Sequence, residues 1–204
     1  QIERNSEVYT VSVKGGTPQR TLDAFGYDPI YSPNGRFLAF VKGDINPLVR
    51  KDYAGSSNRE IWTYDTKNKN YTKLNLFSTN DAYPHWVNDN TIFFMRSEAG
   101  NYNVYSVGID GNGKQVGTPS KITSLSSEEQ VMRSYSISYD GKAIVFEQGD
   151  GLFLMTEMNG KYSAPKKVSV KIRADQRNDA SEMKTVKSGA DEYTISPNGK
   201  LTAF

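Results

Sequence analysis

Ser32-Pro33-Asn34-Gly35-Arg36-Phe37-Leu38-Ala39-Phe40 returns nearly unchanged as Ser196-Pro197-Asn198-Gly199-Lys200-Leu201-Thr202-Ala203-Phe204. It returns more loosely as Ser138 to Phe146 and as Trp86 to Phe94. Residue pairs such as Asn34-Gly35, Asp140-Gly141 and Asn198-Gly199 tolerate positive φ, so each copy reads as two strands joined by a tight primed turn, with Asp89-Asn90 as a poorer version. The run after each turn is short, apolar and unbroken, as in Phe37-Leu38-Ala39-Phe40-Val41 and Thr91-Ile92-Phe93-Phe94-Met95. An unbroken apolar run of that length predicts a strand covered on both faces, as in a sheet held between two other sheets.

Working outward, each hairpin is followed by a second pair of strand-like segments. Glu60-Ile61-Trp62-Thr63-Tyr64-Asp65, Asn103 to Val107 and Gly151 to Met155 are rich in aromatic and β-branched residues. After polar turns come Tyr71 to Leu74, Ser120 to Thr123 and Lys166 to Val170. Four antiparallel strands recurring every roughly 50 to 60 residues are the content of a propeller blade. The expected fold class is therefore all-β, a β-propeller of four-stranded antiparallel blades. The expected division of the single segment 1–204 is a half-blade at 7–23, blades at about 28–75, 84–123 and 135–170, and a half-blade at 193–204. The two half-blades could unite into a small closed ring. The preferred expectation is a partial segment of about four blades from a six- or seven-bladed ring, because an apolar strand ending at Phe204 leaves an unpaired edge.

The Ser-Pro-Asn-Gly-Lys/Arg-x-x-Ala-Phe phrase, followed by Ile61-Trp62-x-Tyr64-Asp65 and Lys73-Leu74-Asn75 or Lys121-Ile122-Thr123, resembles the repeats of TolB-type propellers. A narrower resemblance is to the amino-terminal propeller of tricorn-like serine peptidases. It is carried by Arg50-Lys51-Asp52-Tyr53-Ala54-Gly55 leading into Asn58 to Asp65, by Asn80-Asp81-Ala82-Tyr83-Pro84-His85-Trp86, and by Gly189 to Pro197. The likeness covers nearly the whole chain. It implies a propeller ahead of a separate catalytic region, and a bacterial periplasmic or extracellular setting.

Composition narrows the remaining classes. The 204 residues are 36% hydrophobic and 12% aromatic, enough for stacked sheets. No apolar run is long enough to form a membrane-spanning helix. With 25 basic and 23 acidic residues the formal charge is +2, which argues against a one-signed nucleic-acid surface. The absence of cysteine excludes disulfides and thiolate metal ligands. No cofactor and no metal site is expected. The start at Gln1, with neither methionine nor leader, reads as a segment of a longer protein.

In a blade of alternating strands, the Asn-Gly turns share one face and the connections between blades share the other. The irregular segments Gly43 to Arg59, Asn75 to Tyr83 and Arg173 to Asp191 gather on that second face, and loops of such length are usually functional or disordered. The first carries Arg50, Lys51, Tyr53 and Arg59. Paired cations beside a tyrosine suit the free carboxyl terminus of a peptide. The tricorn resemblance places that role on Arg50 and Lys51, with Lys51 standing where a second arginine would give a bidentate clamp. The alternative is a solvated loop whose charges pair locally with Asp52 or Glu60. Asp28, Asp81 and Glu192 recur just before inner strands, where carboxylates can ring a central channel or cap backbone N–H groups. His85, the only histidine, is a packed or channel-lining residue in this reading. Asp110-Gly111-Asn112-Gly113 has the look of a calcium loop, but Lys114 sits at the next ligand position, so it reads as a hairpin turn.

Two functions fit. One is a non-catalytic segment of a tricorn-like peptidase that admits or docks peptides. The other is a TolB-like protein-interaction scaffold of the cell envelope. The expected partner is a peptide or protein, with self-association through the cut blade edges a further option.

Overall fold

A computed structural model describes residues 6–43, 51–74, 79–126, 130–171 and 194–200, and the backbone of 202–203. Among these residues there is no helix. The chain divides into two compact units, Gln1–Ser169 and Val170–Phe204.

The first unit opens with a short antiparallel pair, β1 (Tyr9–Thr10) and β2 (Gln19–Arg20). Three larger sheets follow in chain order. The first contains β3 (Tyr27–Tyr31), β4 (Phe37–Lys42), β5 (Glu60–Asp65) and β6 (Tyr71–Lys73). The second contains β7 (Asp81–Asn88), β8 (Thr91–Glu98), β9 (Asn101–Ile109) and β10 (Gln115–Lys121). The third contains β11 (Met132–Ile137), β12 (Ala143–Gln148) and β13 (Gly151–Met158), with β14 (Lys161–Tyr162) and β15 (Lys166–Lys167) both pairing β13. Each is an antiparallel meander. The fourth strand of the third sheet is thus two fragments, and its paired part is shorter than the expected Lys166 to Val170. In the second unit, β16 (Thr194–Ile195) pairs antiparallel with β17 (Thr202–Ala203).

Alternation within the apolar runs explains how the sheets stack. Phe37, Ala39, Val41 and Ile61 of the first sheet meet Trp86, Ile92, Phe94, Tyr105 and Val107 of the second. The intervening Leu38 and Phe40 turn the other way and pack with Tyr64 against Val8 and Leu22. In the second sheet Phe93, Met95, Tyr102 and Val104 face the third, where they meet Met132, Tyr135, Ile144, Phe146 and Met155. β4 and β8 bury both faces, as their unbroken apolar runs require, whereas β12 buries Ile144 and Phe146 on one face and leaves Val145 half-buried on the other. Adjacent first strands are also tied by polar contacts: the Trp86 indole N–H donates to the Ile30 carbonyl at 3.2 Å, and the Tyr135 hydroxyl donates to the Tyr83 carbonyl at 2.8 Å.

The turns of the repeat differ from the expected primed pairs. Gly35 N–H donates to the Ser32 carbonyl at 2.8 Å, and Gly35 has φ +70° while Asn34 is not among the left-handed residues. The loop is a turn over Ser32-Pro33-Asn34-Gly35, with proline in its second position and a left-handed glycine ending it. Proline's fixed φ suits that geometry but is not required for it, since Ser138-Tyr139-Asp140-Gly141 closes the same way. Ser32 reinforces it: its hydroxyl donates to Asn34 Oδ1 at 2.9 Å and accepts from the Phe37 N–H at 2.9 Å. The Ser138 and Ser196 hydroxyls likewise donate to Asp140 and Asn198. The Asp110 loop joins β9 to β10, its carboxylate accepting from the Asn112 and Lys114 N–H groups at 2.9 and 2.8 Å.

Candidate functional site

At the end of the sheets opposite these turns, β8 passes to β9 through Ala99 and Gly100 alone, and β12 passes to β13 through Gly149 and Asp150 alone. Between β4 and β5 the same step takes residues 43–59. Repeat geometry demands only two residues there, so the remainder is an insertion particular to the first sheet.

The described part of the insertion is fastened to the neighbouring sheet by Asp52. Its N–H donates to Ser97 Oγ at 2.5 Å, the Ser97 hydroxyl donates back to Asp52 Oδ1 at 2.8 Å, and the Gly100 N–H donates to Asp52 Oδ2 at 2.5 Å. Ser97 is fully buried, and Gly100 follows Ala99 in left-handed backbone, which turns the Gly100 N–H outward to meet the carboxylate. Asp52 is itself left-handed, at φ +55°. Lys51, immediately before it, is exposed. Tyr53 is half-buried and lies over its own loop, where a Cβ on Gly55 would come within 2.8 Å of the ring.

The insertion re-enters the fold at Arg59. Its N–H donates to Asn80 Oδ1 at 3.0 Å, and its carbonyl accepts from the Asp81 N–H at 3.1 Å. The side chain is 1% exposed, and Nη2 donates to the Tyr102 hydroxyl at 3.0 Å. Arg59, grouped by the sequence with the peptide-binding candidates of the insertion, is thus buried, with its guanidinium against Tyr102. Its charge acts on the groups around it. Asp28 has an exposed residue surface but a partly desolvated carboxyl whose pKa is pushed up by burial, an effect that Arg59 opposes. Asp81 is 2% exposed, and burial drives its carboxyl well above the ordinary range against the pull of Arg96 and Arg59. Burial also raises the Tyr83 and Tyr102 hydroxyls.

His85 is on β7, half-buried, with its ring edge-on to Tyr135 at 5.1 Å between centroids. Burial lowers its pKa and favours the neutral ring. Asp28 and Tyr83 share an unusual backbone: both are left-handed, at φ +50° and +54°, directly before Pro29 and Pro84, and each sits where its strand's register shifts. Arg50 and Glu192 lie outside the described residues. The structure thus brings Asp28, Asp81 and Arg59 into one electrostatic cluster and holds Lys51 apart on the insertion. Among the described residues no group of three or more His, Asp or Glu side chains could hold a metal ion.

The family model described as the tricorn protease N-terminal beta propeller domain matches residues 1–161. The chain belongs to this family. The propeller is also similar to the solved tricorn protease, with a TM-score of 0.62 and 19% identity, over 84% of this chain and 15% of that one. A protein described as TolB from Agrobacterium tumefaciens gives 0.57 and 18%, over 81% of this chain and 57% of that one. TolB from Acinetobacter baumannii gives 0.51 and 17%, over 96% of this chain and 42% of that one. Likeness at these identities speaks to the fold alone, and the chain spans less than two thirds of each. No curated protein sequence matches the chain. No described helix is long and apolar enough to cross a membrane.

Reasoning from the sequence missed Asp52, Ser97, Gly100 and Tyr102 as parts of this propeller's site. In the sequence Asp52 stands as a member of the Arg50 to Gly55 phrase and as a local counter-charge, with nothing that points to Ser97. The one available signal was the Gly100-Asn101 pair, which marks a tight turn with an outward N–H but not what the N–H meets.

Proposed function

We propose that this propeller segment docks peptides by their free carboxyl terminus for a protease region of the same protein, with Arg50 and Lys51 on the insertion as the capturing cations. The observation that carries the reading is the insertion itself. It interrupts one repeat at a position where the neighbouring repeats need two residues, and it presents the exposed Lys51 beside a fastened Asp52. Membership of a protease propeller family supports the peptide as ligand. A carboxylate suits the site because a lysine ammonium and an arginine guanidinium both donate charge-assisted hydrogen bonds to it.

Replacing Arg50 and Lys51 together by alanine should weaken binding of a free-acid peptide and leave an amidated peptide unaffected. Unchanged affinity for the free acid, with an unchanged peptidase rate of the full-length protein, ends the docking reading. The TolB-like fold supports a second reading, an envelope interaction scaffold in the periplasm or outside the cell. That reading predicts capture of an envelope protein by a variant lacking both cations as efficiently as by the parent.

A further inference from the structure

Resting on the docking reading, we infer that Asp52 is a positioning residue: a clasp that holds the insertion on the second sheet and thereby sets Lys51 for carboxylate capture. Three hydrogen bonds converge on this one residue from a different repeat, 45 and 48 positions along the chain. The receiving groups are pre-set. Ser97 Oγ is buried on β8, and the Gly100 N–H is aimed outward by two successive left-handed residues. Little of the receiving side has to be ordered when the carboxylate arrives, so the contact fixes the insertion at small entropic cost.

The neighbouring anchor acts in the same direction. Arg59 closes the insertion at its far end through Asn80, Asp81 and Tyr102, so the segment between Asp52 and Arg59 is tied at both ends to the second sheet. Tyr53 and Gly55 fill the span between the ties. Lys51 projects from the residue adjoining the first tie, where a shift in Asp52 moves it directly. The ammonium of Lys51 is a point charge on a flexible stem, and capture by such a group depends on how its base is held.

The test uses the full-length protein and one peptide in two forms, free-acid and amidated, with affinity read by calorimetry and the insertion probed by limited trypsin digestion. Asp52→Ala should weaken free-acid binding about tenfold, leave the amidated peptide unchanged, and speed cleavage after Lys51. Ser97→Ala, which removes one receiving group without touching the insertion, should produce the same change in smaller measure. Asp52→Asn keeps an acceptor for the Gly100 N–H and should recover part of the affinity. The melting temperature of all three should stay near that of the parent. If Arg50→Ala with Lys51→Ala weakens free-acid binding while Asp52→Ala and Ser97→Ala do not, the clasp is overturned and docking survives. If none of the variants alters free-acid binding, both are overturned.

Discussion

Asp65 sits at the end of β5, where its carboxylate answers for three neighbours at once. Arg36 donates Nε and Nη2 to its two oxygens, each at 2.8 Å, and the Lys67 and Asn68 N–H groups donate to Oδ1. The Arg36 guanidinium, with those backbone donors, holds the carboxyl well below the usual carboxylate range. Because Arg36 belongs to the repeat phrase just before β4 and Asp65 closes the adjacent strand β5, this pair locks the first hairpin to the β5–β6 turn. Asp65→Ala leaves the guanidinium without its fork partner and the turn without its cap. It should cost about 2 kcal/mol, at the lower end for a charged pair because the arginine side chain is 32% exposed. Urea midpoints of the variant and parent check this. The difference should shrink in acid, since a carboxyl of depressed pKa stabilises the fold above about pH 4 and loses that contribution as protonation sets in.

At the level of the strand, burial follows from register. Phe40 pairs with Trp62, Phe94 with Tyr105 and Phe146 with Phe153, so each sheet has an aromatic pair at its centre. Phe40 and Phe94 are wholly buried, and Phe94 stacks on Tyr105 at 5.9 Å. Phe94→Ala should cost about 3 to 5 kcal/mol, the range for deleting a buried aromatic ring, and Phe93→Ala should cost less because Phe93 is 6% exposed. Chemical denaturation of both variants tests the ranking. Opposite the third-strand aromatics, the outer strands repeat a second device: Lys73, Lys121 and Lys167 pair across from Trp62, Tyr105 and Phe153, and bridge to Glu60, Glu98 and Asp150. Exposed pairs of this kind add little stability, but lysine on an outer strand discourages edge-to-edge pairing with other chains. The strand runs, and in β4 and β8 their two-faced burial, were legible because a short unbroken apolar run is a local pattern. The turn type was not, since Asn-Gly permits a primed turn and the serine cap decides against it, at Ser138 even with Tyr139 in the proline's place. The burial of Arg59 and the fastening of Asp52 depend on Tyr102 and Ser97, 43 and 45 residues away, and no local pattern carries that pairing.

At the scale of the molecule, buried or bridged groups among the described residues, His85, Asp81 and Asp65 foremost, pull the response to pH in opposite senses. His85 has a lowered pKa, so as pH falls below about 6.5 the unfolded chain takes up a proton that the folded chain resists, and stability declines. Asp81 acts in the contrary direction: burial keeps its proton on in the fold, whereas the unfolded chain releases it above about pH 4. Its contribution is therefore greatest in acid and is lost as pH rises toward its folded value. Asp65 is the third, stabilising above about pH 4 and failing below it. The two limbs of His85 and Asp81 thus oppose one another between pH 7 and pH 5, and below pH 4 stability falls as the unfolded chain takes up the proton that folded Asp65 refuses. Single variants separate the limbs. His85→Gln should make the protein more stable at pH 5 than at pH 7, because the limb of Asp81, with that of the partly desolvated Asp28, remains there. Asp81→Asn should do the reverse, exposing the His85 decline. Urea midpoints at pH 7, 5 and 3 for the parent and both variants decide it, and a flat response between pH 7 and pH 5 in either variant would show that burial of these two side chains does not govern the profile.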